Sequence, residues 1–152
     1  MSDRAVSPVV ATVLLIVITL VAAGTVGLTV FDVSLDEPTR ATFTANADST
    51  TQTITLTHRG GAALDPSSLR LRIAVDGEPI AHQPPVPFFA AKGFMSGPTG
   101  PFNSAYTGQW VGGQSASVRL ASTNTQFQAG AVLSIQLYTG DQALATLEIR
   151  AH

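Results

Sequence analysis

The residues that could do chemistry are few and scattered. The three histidines, His58, His82 and His152, have no partner at metal-ligand spacing, and the chain has no cysteine. Thiol catalysis, disulfides, Cys-based zinc sites and a lipidated-Cys anchor are therefore excluded. G-x-S-x-G, H-E-x-x-H and phosphate-cradling glycine loops are absent. Gly60-Gly61 and Gly112-Gly113 precede no helix pattern and read as breakers. His58 ends an alternating stretch beside Arg59 and is expected at the surface or in a turn. Asp32, Asp36 and Glu37 could attract a cation, but a solvated cluster beside an apolar segment accounts for them. The expectation is a protein that is not an enzyme and has no cofactor and no metal.

One external stretch invites a binding role. Ala81 to Gly113 is rich in Pro and Gly and holds Phe88, Phe89, Phe94, Phe102, Tyr106 and Trp110. An irregular segment this long is commonly functional. The six aromatics are a candidate surface-contact loop; the alternative is a hydrophobic lid over one end of the fold. Part of the segment, near Ala105–Val111, is expected to form strand.

The elements that must position these residues begin with Ala5 to Phe31, which contains no Asp, Glu, Lys, Arg or His. About 20 apolar residues in a helix span a bilayer's ~30 Å core. Ser7 suits an N-cap and Pro8 the first helical position, so a helix is predicted from Pro8 to about Val33. Ala23 and Gly27, four apart, permit close helix packing. Arg4 precedes the segment and Asp32, Asp36 and Glu37 follow it, which places the N-terminus in the cytoplasm and the remainder outside.

From Ala41 the period becomes two. ATFTANA and TQTITLTH alternate apolar residues with Thr and read as a hairpin turned at Asp48-Ser49-Thr50. LRLRIAV aligns Leu69, Leu71, Ile73 and Val75; Asp76-Gly77 turns it back, and Pro79 shortens the return. SASVRLA, AVLSIQLYT and ALATLEIRA supply three more strands. The predicted fold is mainly β with one long N-terminal hydrophobic α-helix: an antiparallel, immunoglobulin-like β-sandwich of six or seven strands. The chain of 152 residues has a formal charge of −2 and only 12% charged side chains. No basic patch argues for nucleic acid, and the polar surface must be built from neutral groups.

Asp3 to Gly24, DRAVSPVVATVLLIVITLVAAG, resembles the N-termini of archaeal type IV pilins, haloarchaeal ones especially. In that family a charged residue at −2 and a small one at −1 precede peptidase cleavage of a short leader. Arg4 and Ala5 match, making Val6 the first mature residue, and Ser7-Pro8-Val9 follows the family's Ser-Pro-Val/Ile run. Ala11 stands where relatives often have Gly. Val10 occupies the fifth mature position, where bacterial pilins carry an acidic residue.

The resemblance implies a leader over 1–5, a transmembrane and polymerisation helix over 6–34, a linker over 35–40 and an extracellular sandwich over 41–152. It implies a filament subunit whose helix packs in the core and whose head serves adhesion. The expected partners are further copies, other pilins, membrane lipid before assembly, a prepilin peptidase, an assembly ATPase and a membrane platform protein. The subunit would sit in the cytoplasmic membrane before assembly and on the cell surface afterwards. Two alternatives remain: a single-span surface module that never polymerises, and a secreted domain cleaved after Val21-Ala22-Ala23.

Overall fold

The computed structural model describes residues 8–30, without the side chains of residues 24–30, and residues 37–152. The chain divides into two units, Met1–Glu37 and Pro38–His152. In the first, α1 runs over Pro8–Val30. Pro8 opens it, as its fixed φ and missing N–H permit. The leader, Ser7 and Asp32 to Asp36 lie outside the described residues.

The second unit is two antiparallel sheets facing each other. β1 (Ala41–Asp48), β2 (Thr53–Gly61) and β5 (Ser115–Arg119) form the first, in the order β1-β2-β5. β3 (Leu69–Val75), β4 (Glu78–Pro79), β6 (Val132–Thr139) and β7 (Gln142–Arg150) form the second, in the order β4-β3-β6-β7. These are the A-B-E and C′-C-F-G orders of an immunoglobulin-type sandwich, with the irregular segment standing where strand D would run.

Alternation sets the core. Phe43, Ala47, Ile54, Leu56, Ala116 and Val118 from the first sheet face Leu69, Leu71, Ile73, Leu133, Ile135 and Leu137 from the second, all buried. Leu147 and Ile149 on β7 are only partly buried against this core. The edges β1 and β7 run alongside each other in the same direction. The Gln142 side chain donates to the Thr39 carbonyl (2.8 Å) and accepts from its N–H (3.1 Å). At the other end His152 N–H donates to Ala47 O (3.1 Å), and Ser49 N–H donates to His152 O (2.8 Å). The edges are pinned at both ends without closing a barrel.

Three expectations are corrected. His58 is fully buried: it continues the inward series Ile54, Leu56, His58, and its ring packs edge-on against Phe43 at 4.9 Å. Gly60-Gly61 does not break the strand, because β2 runs through both. At Gly61 φ is +104° and a Cβ would stand 2.4 Å from the Arg40 carbonyl oxygen, so only glycine lets the start of β1 approach. No strand forms over 105–111; Trp110 makes a single bridge to Leu64.

Candidate functional sites: the apolar helix and the aromatic segment

α1 has no polar face over its described side chains. Val9, Val10, Val13, Leu14, Leu15, Ile16, Val17, Ile18, Leu20 and Val21 are 50–67% exposed. Its hydroxyls turn back onto the helix: Thr12 donates to Val9 O at 2.8 Å, and Thr19 donates to Leu15 O at 2.9 Å and Ile16 O at 2.8 Å. Such back-bonding satisfies the hydroxyls without water. Among the described residues no helix is long and apolar enough to cross a membrane. The run with described side chains, Pro8 to Ala23, covers about 24 Å at 1.5 Å per residue, short of a ~30 Å hydrocarbon core. The predicted cleavage residues Arg4, Ala5 and Val6, and Ser7 at the helix start, lie outside the described residues. Of the predicted packing pair, Ala23 is exposed on α1, and Gly27 lies in its backbone where side-chain surroundings are not described.

The aromatic segment is mostly interior. Phe88, Phe94, Phe102 and Trp110 are buried, Tyr106 is half-buried, and Phe89 alone of the six is exposed, at 62%. Trp110 is the hub. Its ring centroid lies 5.1 Å from Phe43, 5.3 Å from Phe102 and 5.9 Å from His58. These separations lie in the range that aromatic pairs favour. Its indole N–H donates to Gln114 O (3.0 Å), and its backbone N–H and C=O pair with Leu64. His58 Nε2 lies 3.0 Å from Ala62 O and donates to it, which leaves Nδ1 as a buried acceptor without a partner among the described residues. Alternation along β2 was the sequence signal that places His58 inside.

What holds the irregular backbone is a set of neutral amides that pattern alone does not single out. Asn124 donates to His82 O (3.0 Å) and Gly93 O (3.1 Å) and accepts from His82 N–H (3.1 Å). Gln83 accepts from Ile73 N–H and donates to Ile73 O, both at 2.8 Å, replacing a neighbouring strand at the β3 edge. Gln52 donates to Phe127 O (2.8 Å) and accepts from Phe127 N–H (3.0 Å). Each amide carries a donor and an acceptor, so it can stand in for a peptide group. Among the described residues no cluster of three His, Cys, Asp or Glu forms a metal site.

No curated protein matches the chain. A family of structural rather than enzymatic proteins does match, through its N-terminal domain model, over α1, the link and the first five residues of β1. Residues 4–45 match the model of the archaeal type IV pilin N-terminal domain, and the likeness is confined to that stretch.

Proposed function

We propose that the protein is a structural subunit of an archaeal type IV pilus-like surface filament, stored in the membrane by its helix and assembled by burying that helix among others. The observation that carries this is the coincidence of the family match with a helix apolar on every side. A helix of that kind is stable only when surrounded by lipid or by protein. Each large side chain moved from water into a helical core contributes about 1.5–3 kcal/mol. The uncharged run from Ala5 to Phe31 extends beyond the stretch whose side chains the structure describes and exceeds the ~20 apolar residues that storage across a bilayer needs. The sandwich would coat the filament and make surface contacts. Leader removal after Ala5, a partner ATPase and a membrane platform belong to the same reading.

Intact-mass measurement on sheared surface filaments and on membranes tests it. The expected mature chain begins at Val6 and is found in filaments. A chain beginning at Gly24 would support secretion instead, and an uncleaved chain confined to membranes would support a simple anchor.

A further inference from the structure

The outer face of the first sheet carries neutral hydroxyls in register. Thr44, Thr57 and Ser115 form one row, Asn46, Thr55 and Ser117 the next, and Asp48, Thr53 and Arg119 the third. Where the second and third rows meet the C-terminal residues, Asn46, Asp48, Thr51, Thr53, Thr55 and His152 line a depression of about 250 Å³. Its walls are held in place. His152 is fixed through its backbone by Ala47 and by the Ser49 N–H and hydroxyl, the latter at 2.7 Å. Asp48 Oδ1 accepts from Thr50 N–H (2.8 Å) and Thr51 N–H (3.3 Å). The Asn46 amide, the Thr55 hydroxyl and the His152 imidazole have no hydrogen-bond partner among the described residues. In the depressions along β3, Gln83 is spent on Ile73, and Arg70 on Gly140 and Asp141, while Arg72 brings a cation to the lining.

We propose that this depression binds one ring of a neutral polysaccharide. The lining selects that class. A single carboxylate cannot supply the six or more oxygens a calcium ion takes. The Thr51 hydroxyl and the Thr50 N–H hold the Asp48 carboxyl below the usual carboxylate range, so it is ionised and a strong acceptor. An apolar ligand would strand the amide and hydroxyls. A sugar ring offers adjacent hydroxyls that donate to Asp48 and exchange bonds with Asn46 and Thr55, while the imidazole covers a ring face. The volume is below the ~300 Å³ at which drug-sized sites begin, which limits the occupant to about one ring. Position agrees with a contact role. Pro38 enters the head at the start of β1 and Asp48 ends that strand, about 25 Å away at ~3.3 Å per residue. The site therefore lies at the opposite end of β1 from the point where the chain enters the sandwich. This rests on the adhesive-head reading of the proposed function.

Isothermal titration of the full chain, in a detergent without a sugar headgroup, tests it with D-glucose, D-galactose, D-mannose and N-acetyl-D-glucosamine. At least one is expected to bind. Asp48→Asn keeps the acceptor for the turn and should weaken binding about 10-fold or more, because a hydrogen bond to a charged group is lost. Thr55→Val, which removes no internal bond, should weaken it about 3-fold or more. Arg72→Ala on the opposite sheet should leave it unchanged, and circular dichroism should be the same for all. Binding of none of the four sugars, or equal binding by wild type, Asp48→Asn and Thr55→Val, overturns the proposal. Either result leaves filament assembly, read from the native material, as a separate outcome.

Discussion

Replacing Trp110 by alanine tests whether the aromatic segment is part of the core. Trp110 has no exposed surface and touches Phe43, His58 and Phe102. Burying a tryptophan removes 150–250 Å² from water, about 4–6 kcal/mol at ~25 cal/mol per Å². Measured truncations of buried Phe or Trp cost about 3–5 kcal/mol. The two ranges meet near 4 kcal/mol. Loss of the indole donor adds little, because Gln114 O still accepts from His58 N–H at 2.9 Å. A domain holds only about 5–15 kcal/mol in total, so the variant should be marginal. Trp110→Phe keeps a ring and loses the indole bond with part of the volume, at about 1–2 kcal/mol. Urea unfolding of the full chain in detergent should be followed by far-UV circular dichroism, since Trp110 is the sole tryptophan and its fluorescence disappears with it. A shift below about 1 kcal/mol for Trp110→Ala would refute a core role, because a side chain buried among three rings cannot be removed so cheaply.

His58→Leu should change stability by no more than about 1 kcal/mol in the same assay: it removes the bond to Ala62 O, on an exposed residue that water can serve, and with it the orphaned Nδ1. Gly61→Ala should cost more than about 2 kcal/mol, read as a lowered unfolding midpoint, because the added Cβ meets the Arg40 carbonyl at a positive φ. The Ser67 hydroxyl and N–H hold the Asp65 carboxyl below its ordinary range; a depressed folded value means the stabilisation is present above the unfolded value and is lost as pH falls through the folded one. Asp65→Asn should therefore flatten the acid limb of a melting-temperature–pH curve, and an unchanged limb would discount the bonds from Ser67 as a source of stability. Ala23→Leu combined with Gly27→Leu should leave membrane content intact while filaments are lost, as overpacking a close helix contact costs about 1–3 kcal/mol per site and every subunit repeats it; normal sheared filaments would remove that face from the interface.

Much of the sandwich was legible because its signal is local. In LRLRIAV and AVLSIQLYT the side-chain period alone assigns Leu69, Leu71, Ile73, Leu133, Ile135 and Leu137 to the core, and Asp76-Gly77 marks the turn. The N-terminal segment was equally plain, since an uncharged run followed by alternating strands needs no partner to be recognised. The same rule already held the answer for His58, two residues beyond Leu56, but residue type had suggested the surface.

The irregular segment was not legible, for a physical reason. Pro- and Gly-rich backbone has no period, so the sequence determined only that residues 81–113 leave the sheets. Which rings turn inward was decided by the assembled core, which takes Phe88, Phe94, Phe102 and Trp110 and leaves Phe89 outside. Which polar groups hold them was decided by distant pairings: Gln83 with Ile73, Asn124 with His82 and Gly93, Gln142 with Thr39. An amide anywhere in a chain can replace a peptide group, and only the assembled fold brings it to the carbonyl and N–H left unpaired. The depression at Asn46, Asp48, Thr55 and His152 arises in the same way: alternation puts the first three on one outer face, and the pairing of the chain's last residue with Ala47 and Ser49 supplies the fourth.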